Sequence, residues 1–197
     1  MKFLHIADVH LGLAPDAGKP WSSRRQQDIW DSFREVLAVA EREKVDLVLI
    51  AGDLFHRQPL MRELKQVNEL FSGLTRTKVA LIAGNHDYMH PRSNYRGFSF
   101  AENVIFFDRE QIKGVELPEY QACIYGLSYW HKEITDGLYD ALRPKDPAKI
   151  NILLAHGGDA KHIPMSEAAL RQNGFDYVAC GHIHKGGQII KNKAVMA

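Results

Sequence analysis

Leu47-Val-Leu-Ile-Ala-Gly-Asp53 is a run of five apolar residues closed by a glycine and a carboxylate. An apolar run of that length, bounded by Gly, reads as a strand buried on both faces, the kind a parallel sheet uses. The pattern recurs on either side. Upstream stands Phe3-Leu-His-Ile-Ala-Asp8-Val-His10, and downstream Val79-Ala-Leu-Ile-Ala-Gly-Asn85-His86-Asp87. Ile152-Leu-Leu-Ala-His156 and Tyr177-Val-Ala-Cys-Gly-His182-Ile-His184 follow. Helical patterns fill the gaps, so the class is α/β. Polar residues at the ends of such strands sit where a rigid scaffold places binding and chemistry. Here every one is a metal-ligand type.

The first helix is predicted to start near Ser22 or Ser23, either of which could cap it. Ile29, Phe33, Val36, Leu37 and Ala40 form its apolar stripe. Pro59 reads as the opening of a second helix, with Leu64, Val67, Leu70, Phe71 and Leu74 turned inward. Short strands are predicted at Val104–Phe107, Ile112–Leu117 and Ala122–Tyr125, then a short helix around 133–142 ended by Pro144. Ser166 begins a last helix and Gly174 fits its left-handed stop. Ala194-Val195-Met196-Ala197 has the look of a strand cut off midway, so residues 1–197 are expected to be one catalytic domain, truncated from something longer.

A chain of 197 residues supports one substantial core. Lys and Arg number 25 against 24 Asp and Glu, so any nucleic-acid surface is local rather than a global basic balance. No apolar stretch reaches the roughly 18 residues of a membrane span. Met1-Lys2-Phe3 leads straight into a strand without a secretory pattern. The two cysteines, Cys123 and Cys180, lie in apolar surroundings and form no framework. A reducing cytoplasm is the expected compartment.

Asp8 and His10 are two residues apart, as are His182 and His184. Both members of such a pair converge only where the strand gives way to loop. Asp53, after a glycine, is the natural carboxylate to bridge two cations. Mixed carboxylate, amide and imidazole donors suit Mn²⁺, Fe or Zn²⁺ better than Ca²⁺, and the lack of thiolates disfavours structural zinc. A pair of divalent ions about 3.5–4 Å apart clamps phosphate and acidifies a bound water. His86, beside Asn85, stands ready to protonate the leaving oxygen, with Asp87 to orient it or a ligand. The chemistry that emerges is phosphoester hydrolysis.

Asp8-Val-His10, Gly52-Asp53, Gly84-Asn85-His86-Asp87, His156 and Gly181-His182-Ile-His184 together resemble the calcineurin-like metallophosphoesterase superfamily, in order and across nearly the whole chain. His5-Ile-Ala-Asp-Val-His-Leu-Gly12 and Ala51-Gly-Asp-Leu-Phe-His56 are similar to its Mre11/SbcD DNA-repair exonuclease branch. That resemblance implies a β-sandwich flanked by helices on both sides, in four layers. It implies Asp8, His10, Asp53 and His184 around one metal and Asp53, Asn85, His156 and His182 around the other. Mn²⁺ is the expected ion, with Fe, Zn²⁺ or Mg²⁺ as alternatives. His86 would stabilise the transition state or protonate the leaving group, and His56 would lie near the nucleic-acid path and favour exonucleolytic cutting. Family members continue past the last ligand pair with another strand, a DNA-contacting cap domain and a tail that docks a Rad50/SbcC-type ATPase; none of these is recognised in this sequence. They commonly dimerise through helices of this domain.

The expected DNA contacts are Tyr88, Arg92 and Arg96 in the loop after the third ligand motif, Lys185 after the last, and Arg24 and Arg25 on the first helix. The reading is a Mn²⁺-dependent DNA nuclease. Its rivals are a small-molecule phosphodiesterase, acting on cyclic nucleotides or phospholipid head groups, and a non-catalytic scaffold subunit. His5 reads as a core histidine; His90, His131 and His162 read as surface residues.

Overall fold

The computed structural model describes residues 1–197. Four strands, β1 (Phe3–Ile6), β2 (Leu47–Ala51), β3 (Lys78–Ile82) and β4 (Val104–Phe106), form one all-parallel sheet in that order. A second sheet has six: β5 (Lys113–Leu117), β6 (Ala122–Gly126), β7 (Ile150–His156), β8 (Tyr177–Gly181), then β10 (Ala194–Met196) and β9 (Gly187–Ile190). Within it β6, β7, β8 and β10 run parallel, and the outer strands β5 and β9 run antiparallel to their neighbours. The β9–β10 pair follows the last ligand motif. The second sheet therefore carries a hairpin where the sequence reading recognised only the broken strand at 194–197.

The sheets stack face to face. Leu47, Leu49, Ala51, Ala80 and Ile82 of the first meet Ile124, Ile152, Leu154 and Ala179 of the second, all fully buried. Several of these are alanines, so the layers approach closely. The other face of the first sheet, including Val48, Ile50, Val79 and Leu81, is covered by α1 (Ser22–Arg42) and α2 (Met61–Ser72). The second sheet's outer face packs on α3 (Glu167–Gln172) through Leu170 and on loops carrying Tyr129, Ile134, Tyr139 and Ile163. Strands buried on both faces must be apolar throughout, which is why β2 is an unbroken run.

Three local expectations need correction. No serine caps α1: Trp21 holds the cap position, and Ser22 is already helical, its N–H bonded to the Lys19 carbonyl. The second helix starts at Met61 rather than at Pro59, because Glu63 reaches back to accept the Leu60 N–H at 2.8 Å and so fixes Leu60 as the cap. Residues 133–142 form turns, not a helix. Ile134 spends its N–H on the Lys161 carbonyl and its carbonyl on the Ile163 N–H, pairing sideways instead of along a helix. Ser166 does cap α3, accepting from the Ala169 N–H, and Gly174 adopts the left-handed φ of +80°.

Candidate metal centre

The parallel strands β1, β2 and β3 of one sheet and β7 and β8 of the other deliver their C-terminal ends to one place. Beyond β1 and β2 the chains stay paired: the N–H groups of Asp8, His10 and Leu11 donate to the carbonyls of Gly52, Asp53 and Leu54. Asp8, His10 and Asp53 adopt left-handed φ values of 52°, 52° and 50°. Non-glycine residues are strained there by about 1–3 kcal/mol each, a cost that clusters at functional sites. Residues two apart on a strand share a face, and past the strand end Asp8 and His10 join one donor group with His184.

Glycines before the ligands are a matter of space. A Cβ on Gly84 would lie 2.2 Å from Asp53 Oδ1, and one on Gly52, itself at φ +90°, 2.3 Å from His156 Nδ1. Only bare backbone permits Asp53, Asn85 and His156 to crowd together.

Asn85 Oδ1 lies 2.9 Å from His156 Nε2 and 3.0 Å from His182 Nδ1. Asp53 Oδ2 stands between the two sides, 3.5 Å from His156 Nε2 and 4.0 Å from His10 Nε2. On the far side His10 Nε2 and His184 Nε2 face each other at 3.2 Å, with Asp8 Oδ1 3.5 Å from His184 Nε2. Asp8 Oδ1 is buried with no hydrogen-bond partner. A buried carboxylate oxygen left unpaired is costly, and a cation is the natural partner for it. Asp8, His10 and His184 form one close donor group; Asp8, Asp53 and His156 form another. The donor set fits a pair of divalent ions.

Electrostatics agree. Burial opposes charge on His156, but the Asp53 carboxylate outweighs it and pushes the ring up to about 9. Burial opposes ionisation of Asp53 too, yet His156 and the His86 N–H hold it well below the usual carboxylate range. The metal-free pair therefore keeps a proton that a cation would displace. Burial pushes His10 down to about 4, with His86, His184 and His56 adding to the effect, so its ring is neutral and ready to coordinate.

His86 sits at the edge of this cluster. Its ring Nδ1 donates to the His56 carbonyl at 3.0 Å, and its backbone N–H to Asp53 Oδ1 at 2.9 Å. The His56 ring stacks on it with centroids 5.1 Å apart. Asp87 makes no hydrogen bond to the His86 ring; of its two expected roles, orienting His86 or a ligand, its contacts fit the second. Fully buried, it accepts from the N–H groups of Gly84 and Phe55 and from the Tyr95 hydroxyl. It ties the β3 loop to the β2 loop, and so holds Asn85 near Asp53.

The expected DNA contacts are scattered. Tyr88 is half-buried, Arg92 is exposed, and Arg96 lies over the Trp130 ring at 4.7 Å. Lys185 and Arg24 are exposed, while Arg25 is engaged by Asp16 at 2.6 Å. His5 on β1 is bonded to Tyr177, as a core histidine would be. His162, expected at the surface, is instead partly buried and bonded to Asp159.

Sequence reasoning missed Asp159, whose Oδ2 lies 2.7 Å from His182 Nε2. Its position in His156-Gly-Gly-Asp159, a strand end like the others, was an available signal. It also missed the tyrosines bracing His156: Tyr129 donates to its carbonyl at 2.8 Å, and Tyr139 accepts its N–H at 3.2 Å. Both lie in loops without periodicity.

The calcineurin-like phosphoesterase model matches residues 1–186, and the chain belongs to that family, a class of metal-dependent phosphoesterases with a dinuclear centre. Among its relatives is an uncharacterised metallophosphoesterase, YhaO, of Bacillus subtilis, 31% identical over 94% of this chain and 49% of the relative. The DNA double-strand break repair proteins Mre11 of Saccharolobus solfataricus and Methanocaldococcus jannaschii are 28% and 29% identical. Those matches cover 93% and 94% of this chain and 49% and 52% of the relatives. The chain thus spans about half the length of the curated relatives it matches.

Proposed function

We propose that this chain is the catalytic domain of an Mre11-type DNA nuclease, hydrolysing phosphodiester bonds with two divalent cations, Mn²⁺ foremost. The observation that supports the reading is the His86–His56 stack against the candidate ligand cluster, where His86 would be a proton donor beside the cations with a second imidazole next to it. Relatives named as DNA-break repair proteins align over the same stretch.

Two cations held by these residues would supply positive charge to the phosphoryl oxygens and lower the pKa of a water. The residues arrange the rest. Asp53 is shared between the halves, and through its hydrogen bond to the His86 N–H it fixes that residue relative to the cations. Because His86 Nδ1–H is committed to the His56 carbonyl, Nε2 is the atom left to face the departing oxygen; it hands over a proton from the doubly protonated ring, which returns to the Nδ1–H form as the P–O bond breaks. The stacked His56 ring limits where the next nucleotide can lie. An ATPase partner of the Rad50/SbcC kind, a homodimer through the domain's helices and a cytoplasmic setting belong to the same proposal. The buried free thiols of Cys123 and Cys180 fit a reducing compartment.

A small-molecule substrate is the second reading, favoured by a cavity of about 610 Å³ beside Asp8 and His10 with Ile6, Val9, Ile29 and Phe33 in its walls. End-labelled duplex and single-stranded DNA incubated with Mn²⁺, Mg²⁺ or chelator, alongside a simple phosphodiester, decides between them. Mn²⁺-dependent DNA degradation lost in His86→Ala upholds the nuclease. Turnover of the small ester with DNA intact sinks it.

A further inference from the structure

His182 has a harder task than its neighbour His156. The His156 ring is fully buried, and its Nδ1–H donates to the Ala51 carbonyl at 2.9 Å, which leaves Nε2 to the cation. His182 lies past the strand end with a φ of +95°, and it presents the other nitrogen, Nδ1, to Asn85. That orientation holds only if something engages Nε2. Asp159 does so through Oδ2 at 2.7 Å.

Asp159 is itself fixed. The Lys161 and His162 N–H groups donate to its Oδ1 at 2.8 and 3.0 Å, and the His162 ring Nδ1 lies 2.9 Å from both of its oxygens. The His162 and His182 rings lie 4.4 Å apart. The loop is anchored on both sides, with Gly157 N–H on the Gly181 carbonyl, Gly158 N–H on the His162 carbonyl and Ile163 N–H on the Ile134 carbonyl. No similar carboxylate backs His156.

We infer that Asp159, backed by His162, is a positioning residue that locks the His182 ring with Nδ1 toward the cation shared with Asn85 and His156. A carboxylate behind a ligand imidazole fixes its tautomer and raises its basicity, and losing one weakens metal binding by roughly 10–100-fold. The inference rests on the dinuclear-centre reading and is independent of the substrate.

The test is Mn²⁺ titration calorimetry on the chain and on Asp159→Ala and Asp159→Asn, with the visible spectrum of the Co²⁺-loaded proteins and melting of the metal-free ones. The expected result is two cations in the parent and one of them weakened by roughly 10–100-fold in Asp159→Ala, with a changed Co²⁺ band. The other cation and the metal-free melting temperature stay put. Asp159→Asn keeps an acceptor without charge, so its loss is smaller; should the alanine variant not fold, this one decides. Two cations bound at parental affinity in either folded variant overturn the assignment. Equal weakening of both cations with lowered metal-free stability overturns it too, as a purely structural role. A parent that binds two cations yet cleaves no DNA sinks the nuclease reading, while one selectively weakened cation in Asp159→Ala still upholds the role of Asp159.

Discussion

Around Asn85 the centre is sealed: Asp53, Asn85 and His156 are 1%, 5% and 0% exposed, and each is tied to backbone or to another ligand. Around His184 it is open, that side chain being 63% exposed with no bond to hold it except through its fellow ligands. The inner position is part of the core, whereas the outer one sets the exposed His184 beside the buried His10. Inner ligands should therefore couple metal binding to folding, and outer ligands should govern exchange and access.

Asp53→Asn is the severest break in that scheme, because Asp53 serves both halves. Phosphodiester turnover should fall by about 10³-fold or more, and calorimetry should no longer find two tight cations. Near-parental turnover would mean that the halves do not share this carboxylate. His156→Ala should cost about 2–3 kcal/mol of metal-free stability in urea, through the emptied space and the orphaned Ala51 carbonyl. His184→Ala removes a direct ligand, so it should weaken one cation by more than the roughly 10–100-fold that losing a supporting residue costs, and leave the metal-free melting curve in place. Equal stability losses in the two alanine variants would erase the distinction between inner and outer halves.

Tyr95→Phe sharpens the same point. It strips one of three donors from buried Asp87 and should cost about 1.5–3 kcal/mol by denaturant unfolding, with cation stoichiometry unchanged. The last effect is one of pH. Burial pushes His5 down from 6.5 to about 4, so between those values the unfolded chain binds the proton more readily. Its contribution is intact above about pH 6.5 and is lost as the pH falls toward 4, by at most about 3 kcal/mol. His5→Leu should flatten the acid side of the stability curve relative to the parent; parallel curves would remove His5 as its cause.

The strands that carry ligands were legible because burial on both faces writes itself as an unbroken apolar run ending at a glycine, as in residues 47–53. The candidate ligand residues stood out for the same reason, at fixed places after those runs, and the structure brings them together. What escaped was set by tertiary partners. Residues 133–142 have a plausible helical composition, but Ile134 finds its hydrogen bonds in the loop at 161–163. Asp87 stands next to His86 in sequence and yet points into the core, toward Phe55 and Tyr95. Strand β9 begins at Gly187 and lies at the sheet edge, half-exposed, so its sequence carries little periodicity.

The alanines between the sheets carry one last consequence. Ala51, Ala80 and Ala179 act as a spacer of fixed thickness, and the site straddles the gap that they set. Asp53 and Asn85 ride on one layer, and His156 and His182 on the other. Thickening the spacer by a few methylenes, as in Ala179→Leu, would pry the layers apart and detune the bite of the centre without touching any ligand. The distance between ligand sets is thus written in residues that never meet the substrate.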